Sequence, residues 1–489
     1  MIRVYFDWQV LNWLKKYDEH PNPEEKKKYS RLYSKYCQYK NHLLIPYSSA
    51  HLYDLQHNWR KSEKSKKYTY EDIDFLSKIS NNNCLLKYEE KQYAGPYIGH
   101  PREYFDAIKY SDELLNEDID LSFKGDDSLS IAMRNHYSRT SPKYNFENIY
   151  KNIPEEHRDE FKKFIPFSND DITLKELIEK VWDFSRRMLY DGKYYRGLRD
   201  YVIKNFKGIK TLDDEGSNIE EIDSFFRDSQ MNQSFLELVK STCALNNFNS
   251  KKEPTRYDIF KNAYLLLDTF GISTDKISKR NSFINITRDA EHAFFGAFCD
   301  FIVSEDKALR KKTKALYKLL DIGTKVLSVN QFNDTIRFLI SKPLINYDEF
   351  FSNIIYTINH GIIKSKEINP NKGLAVTHYK LEGLVLNYFN ELAFVQQNHY
   401  HSYFILNKKS RNYSYFSLYA ETKYLVNQLY YIYGSDDFGK ESFNYEKEII
   451  DIEKHIWNGR NWTLNEIRIM FYYNYELKSH QLVLVGLKH

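Results

Sequence analysis

The 489-residue chain is expected to build an α/β domain on a parallel sheet, interrupted by an all-helical insertion and followed by a C-terminal α+β domain. Three observations lead there. Residues 1 to about 95 alternate short apolar strands with amphipathic helices, the pattern of a parallel sheet with covering helices. The alternation stops between about residues 97 and 273, where long helical periodicities take over, and it returns near Ile284. Beyond residue 340, helices mix with aromatic strands. Neither α/β piece has enough strands to bury a core alone, so the two are expected to complete one sheet. The expected boundaries are 1–95 and 275–335 for the split α/β domain, 96–274 for the insertion and 340–489 for the C-terminal domain.

Taken in order, Arg3 to Phe6 reads as a first strand with Asp7 at its carboxyl end. Asn22-Pro23-Glu24-Glu25 opens a helix with a cap residue, a proline in the first turn and acids near the positive end of the dipole. Its apolar stripe is Tyr29, Leu32, Tyr33, Tyr36 and Cys37. Leu43 to Pro46 is a second strand, and Ser48 or Ser49 can cap the helix carrying His51 and Asp54. A helix near Tyr70 to Ile79 leads to a third strand, Cys84 to Tyr88. Thr173-Leu174-Lys175-Glu176 is a capping box, and Thr255 to Phe270 is a helix closed by Gly271. The second α/β piece reads as a helix from Asp289 to Cys299, a strand Phe301 to Ser304, a basic helix from Lys307 and a strand from Thr324 to Val329. Two hairpins are expected later, Tyr403–Leu406 with Tyr413–Tyr419, and Ile467–Tyr475 with Leu482–Leu487.

Composition narrows the function classes. Lys and Arg number 71 against 67 Asp and Glu, so with a net charge of +4 any nucleic-acid surface has to be local. Cys37, Cys84, Cys243 and Cys299 show no CxxC spacing, which argues against a thiolate zinc site or a disulfide framework and for a reducing, cytoplasmic setting. No basic-then-apolar leader follows Met1, and no apolar run approaches the roughly 18 residues that span a bilayer. No membrane partner is expected.

Joining the two α/β pieces puts four acids at equivalent places: Asp7 after the first strand, Asp54 one turn into the helix after the second, Asp289 at a helix start, and Asp306 just past the strand ending at Ser304. In an open parallel sheet such strand ends face one crevice. Four carboxylates there repel one another unless a cation compensates them, and hard oxygen donors suit Mg²⁺ or Mn²⁺, one ion or two. Such ions activate water and stabilise the leaving oxygen of a phosphodiester.

These residues resemble the PIN-domain nucleases. Val4-Tyr5-Phe6-Asp7 with Val10 resembles that family's opening strand and first acid, and Pro46 through Leu55 is similar to the segment supplying its second. Asp289 through Lys307 resembles the closing stretch, in which a helix-start Asp precedes a strand and a Thr/Ser-x-Asp turn. The resemblance covers about residues 1–95 and 275–335. It implies a metal-dependent endonuclease with Asp7, Asp54, Asp289 and Asp306 as catalytic, metal-holding residues, and RNA rather than DNA as substrate. Ser48, His51, His292 and Ser304 stand beside these acids as candidates to position them. Lys307, Arg310, Lys311, Lys314 and Lys318 follow the last acid and are candidates for contacting a nucleic-acid backbone; the ordinary alternative is a solvated helix face. Asp300 and Glu305 read as turn and solvent-facing groups. Tyr413, Tyr415 and Tyr419 read as strand residues, packed as a core or offered as a base-stacking platform.

The extra domains suggest a regulated toxin or an antiviral defence effector, with the C-terminal domain binding a protein partner or a second copy. Gln9 stands where the family usually has Asn, and this motivates the alternative of a catalytically inactive, PIN-like binding or scaffold protein. A small-molecule phosphohydrolase is a third reading. Against it, the first strand lacks an Asp-x-Asp and no glycine-rich phosphate loop occurs.

Overall fold

The computed structural model describes residues 1–88, 93–110, 131, 173–205, 208–228, 232–246, 253–274, 283–340, 346–369, 373–397, 401–408 and 415–486. At its centre is a four-stranded parallel sheet of β1 (Ile2–Phe6), β2 (Leu43–Leu44), β6 (Phe301–Val303) and β7 (Lys325–Leu327), in the order β2-β1-β6-β7. Val4 pairs with Phe301, Tyr5 with Ile302 and Phe6 with Val303. The two α/β pieces thus share one sheet, as expected. β1 and β6 are buried throughout because both sheet faces are covered. Strand alternation sends Val4 and Phe6 into a core with α1 (Trp8–Lys15), α2 (Pro23–Tyr39) and α13 (Val329–Leu339). Tyr5 and Ile302 face the opposite core, with α11 (Phe283–Gly296) and α12 (Lys307–Leu319). Of the stripe expected on α2, Tyr29 and Leu32 are buried, whereas Cys37 is exposed.

The segment 43–48 departs from expectation. β2 ends at Leu44, and Pro46, which has no N–H to give a ladder, separates it from β3 (Tyr47–Ser48). β3 joins a second sheet, running parallel to β4 (Asn83–Tyr88), which forms an antiparallel hairpin with β5 (Tyr93–Ile98). The third strand therefore lies outside the main sheet. α3 (Ser49–Trp59), α4 (Glu63–Ser80) and α5 (Pro101–Ile108) pack around this corner.

Within the expected insertion, residues 111–130 and 132–172 lie outside the described residues. The remainder is helical: α6 (Leu174–Tyr190), α7 (Gly192–Asn205), α8 (Ile219–Asp228), α9 (Phe235–Asn246) and α10 (Arg256–Thr269). α6 opens on the capping box of Thr173 and Glu176, and after α10 the chain turns at Gly271 with φ +71°. A fully buried carboxylate, Asp268 of α10, clamps the insertion to the sheet domain. It meets Arg199 of α7 at 3.1 Å and Lys312 of α12 at 3.2 Å.

The C-terminal domain is a seven-stranded antiparallel sheet in the order β12-β13-β14-β11-β10-β9-β8. Its strands are β8 (Ile362–Asn369), β9 (Leu374–Val385), β10 (Phe389–Gln397), β11 (His401–Asn407), β12 (Arg460–Leu464), β13 (Ile467–Asn474) and β14 (Ser479–Gly486). α14 (Tyr347–His360), α15 (Leu418–Tyr433) and α16 (Tyr445–Glu453) complete it. β13 and β14 form the expected second hairpin. The first is not formed among the described residues: β11 pairs with β10 and β14, Tyr415 lies in a single 3₁₀ turn, and Tyr419 lies on α15 with its hydroxyl donating to Glu453 at 3.1 Å. Tyr413 lies outside the described residues. A buried ionic seam joins this domain to the parallel sheet. Asp300 accepts from the Arg3 guanidinium at 3.2 Å and from Lys408 at 2.9 Å, with Glu421 of α15 3.7 Å from Arg3. Burial alone would raise the Asp300 carboxyl, but Lys408 and Arg3 outweigh it and hold the group well below the usual carboxylate range. Asp300 is therefore a structural ion and not a solvent-facing turn residue.

Candidate functional site

Asp7 is one residue past β1, and its N–H donates to the Val303 carbonyl at 3.1 Å. Ser304 follows β6, its N–H donating to the Leu327 carbonyl at 3.1 Å. Asp7 and the Ser304–Glu305–Asp306 turn thus emerge from the carboxyl ends of neighbouring strands. Each acid caps the helix it introduces: Asp7 Oδ1 accepts from Val10 N–H at 2.8 Å, and Asp306 Oδ1 accepts from Leu309 N–H at 2.9 Å. Ser304, fully buried, bridges them. Its Oγ accepts from the Asp306 N–H at 3.1 Å, and its hydroxyl hydrogen-bonds Asp7. Arg310 braces the turn by donating to the Ser304 carbonyl at 2.6 Å. Glu305, expected to face solvent, accepts from Val329 N–H at 2.7 Å and from Lys28 at 3.0 Å.

The Asp7 carboxyl is only 5% exposed, and burial pushes it up. Hydrogen bonds from Ser304 and Val10 and the His292 charge pull it down, the Asp306 charge pushes it up again, and the result is about 6. Asp306 itself is exposed. Asp7 and Asp306 are therefore near enough to repel.

Asp54, on α3, reaches the same edge through a buried relay. His292 Nε2 lies 2.9 Å from Asp54 Oδ2, Tyr5 Oη 2.8 Å from His292 Nδ1, and Ser48 Oγ 2.7 Å from Tyr5 Oη. A carboxylate only accepts, so the His292 Nε2–H donates to Asp54. His51 closes the network. Ser48 N–H donates to its Nδ1 at 3.0 Å, which leaves Nε2–H to donate to the Phe6 carbonyl at 2.8 Å. Burial and the neighbouring His292 push His51 down to about 3, so it stays neutral. Tyr5, Ser48 and His51 are wholly buried and His292 is 3% exposed, whereas the Asp54 side chain is 25% exposed. The relay holds Asp54; Asp54 meets solvent.

Asp289 is placed differently from expectation. α11 begins at Phe283, so Asp289 sits in mid-helix, half-buried, one turn before His292 on the same side of α11. Tyr5, the hub of the relay, went unread in the sequence. The signal was a tyrosine at a buried strand position, whose hydroxyl needs a partner there.

None of Asp7, Asp54 and Asp306 pairs with a lysine or arginine among the described residues. Oxygen-only donors, one of them desolvated and repelled by another, fit a hard divalent cation. Among the described residues no three His, Cys, Asp or Glu side chains close into a ready-made cage.

The candidate backbone-binding cations are largely engaged. Lys311 is 3.9 Å from Asp214, Lys314 pairs with Glu215, and Lys318 donates to the Ser217 carbonyl at 2.7 Å and lies 3.2 Å from Glu220. The acidic stretch 214–220 of the insertion thus docks on the basic stripe of α12. Lys307 remains exposed beside Asp306. A polar cleft of about 670 Å³ opens there between insertion and α12, lined by Lys307, Arg310, Lys311, Lys314, Ser273 and Gln331 among others. Among the described residues no helix is long and apolar enough to cross a membrane. No family model, curated protein or solved structure matches the chain.

Proposed function

We propose that the chain is a Mg²⁺- or Mn²⁺-dependent nuclease, an endoribonuclease of PIN-like type, working at the carboxyl edge of its parallel sheet. One observation carries this reading. Asp7 and Asp306, from strands far apart in the chain, are close enough to repel, Asp54 is held nearby by His292, and among the described residues none of the three pairs with a lysine or arginine; this supports the reading. A bound cation would supply charge neutralisation and activation of a water toward the phosphodiester. Asp7, Asp54 and Asp306 would hold it, with Asp289, one turn from His292, as the fourth acid.

The chain's own residues do the positioning. Val10 N–H and Ser304 fix Asp7, the Ser48–Tyr5–His292 relay fixes Asp54, and Arg310 braces the turn that presents Asp306. The cleft beside Asp306 offers Lys307 and Arg310 to flanking phosphates, and the exposed pairs of Lys311 and Lys314 with the insertion are weak enough to exchange. RNA as substrate rests on the PIN-like resemblance, and a role as a regulated toxin or defence effector rests on the additional domains. The alternative of an inactive scaffold draws on Gln9, which is exposed beside Asp7.

The test is cleavage of labelled RNA and DNA with Mn²⁺, Mg²⁺ or EDTA by wild type, Asp7→Asn and Asp306→Asn; asparagine preserves both helix caps. The expected result is metal-dependent RNA cleavage reduced at least 100-fold in both variants. Cleavage that persists in them overturns the site, and intact RNA binding without cleavage by wild type selects the scaffold.

A further inference from the structure

At the opposite edge of the parallel sheet lies a cavity of about 690 Å³, under the amino ends of β1, β6 and β7 and roofed by β8, β9 and β10 of the C-terminal sheet. Its volume is that of a small-molecule site, and it sits between domains, where such sites concentrate. The inner wall is apolar, formed by Ile2, Phe301, Leu381 and Leu384. The rim is basic. Four lysines, Lys325, Lys364, Lys380 and Lys408, face two carboxylates, Asp300 and Glu391. Lys364 pairs with Glu391, and Lys408 with Asp300 at 2.9 Å, so both acids are already taken. Lys325, the first residue of β7, and Lys380, on β9, form no ion pair among the described residues, and both are exposed. The lining thus keeps two uncompensated positive charges at the mouth of an apolar chamber. Low-dielectric walls focus such a field outward and favour an anion whose remainder is apolar.

We propose that this cavity is a binding site for a small organic anion, an apolar body with a phosphate, sulfonate or carboxylate head, with the head held by Lys325 and Lys380. The body packs on Phe301 and Leu384. Because Asp300 and Lys408 belong both to this lining and to the ionic seam, the ligand binds against the joint between the two domains. The site is separate from the acids and requires no nuclease activity.

The probe is 8-anilinonaphthalene-1-sulfonate, an aromatic body with one anionic head, titrated by fluorescence into the full chain. Wild type is expected to bind about one equivalent. Lys325→Gln/Lys380→Gln is expected to bind at least tenfold more weakly with an unchanged melting temperature, and Lys26→Gln/Lys27→Gln, which removes the same charge from exposed positions on α2, to bind as wild type does. Displacement by adenosine monophosphate assigns a nucleotide-like ligand; displacement by laurate assigns an acyl anion. Equal affinity in wild type and the Lys325/Lys380 variant, or no binding by wild type, overturns the proposal.

Discussion

Asp7 caps a helix from a desolvated position beside another acid, and the two pull apart. Its side chain caps α1, yet burial and Asp306 raise its carboxyl from 3.8 to about 6. A group whose folded value is raised is penalised when ionised. The penalty is absent below about pH 4, develops as pH rises to about 6, and persists above; the shift corresponds to about 3 kcal/mol. Asp7→Asn keeps the cap and removes the charge. It is predicted to raise the unfolding free energy by about 1–3 kcal/mol at pH 8 in urea titrations, with the gain vanishing near pH 4. An Asn variant no more stable than wild type at pH 8 would refute this account of Asp7. The strand-end positions of Asp7 and Asp306 were legible in the sequence, because a strand end is a local feature, whereas Asp289 lies in mid-helix and not at the expected helix start. His292 and Ser48 were legible only as neighbours of acids and Tyr5 was not legible as a site residue, since residues 287 apart meet through tertiary packing that no local pattern encodes.

Helices and strands were read well where periodicity and caps agreed. α2 and α6 begin at the expected caps, α10 and α12 begin within a residue of the expected starts, and the short strands β1, β6 and β7 fall where short, mostly apolar runs placed them. Two misreadings have physical causes. Pro46 divides one apolar run between two sheets, and the aromatic stretch after Ser414 is helical because its buried positions, Leu418, Thr422, Leu425, Val426 and Leu429, repeat with helical period despite their aromatic neighbours. The loop leading into α8 shows what docks the insertion on α12. Gly216 has φ +66°, and a β-carbon there would meet Ala315 N at 2.8 Å, whereas Gly439, with φ +72°, has open space around it. Both alanine variants carry a backbone cost of about 1–2 kcal/mol, but only Gly216→Ala adds a clash of about 1–3 kcal/mol. The melting temperature of Gly216→Ala should therefore fall clearly below that of Gly439→Ala; equal values would mean that the loop is not closely seated.

The molecule as a whole is held by two buried ionic joints. Asp268 with Arg199 and Lys312 fixes the insertion, and Asp300 with Arg3, Lys408 and Glu421 fixes the C-terminal domain. Losing one partner of such a joint leaves charge buried and unpaired, which is strongly destabilising. Neither joint was legible in the sequence, because Lys312 looked like one more residue of a basic helix and Asp300 like a turn residue. The joining of the two α/β pieces was legible, from the shortage of strands in each. What this assembly achieves at the carboxyl edge is a set of acids, drawn from separate stretches, whose repulsion a shared cation would relieve. Titration of Mn²⁺ into wild type, Asp7→Asn and Asp306→Asn, followed by the electron paramagnetic resonance of the free ion at pH 7.5, reads that directly. Saturable binding by wild type, weakened at least tenfold in each variant, is the predicted result; no binding by wild type, or equal binding by all three proteins, would contradict it.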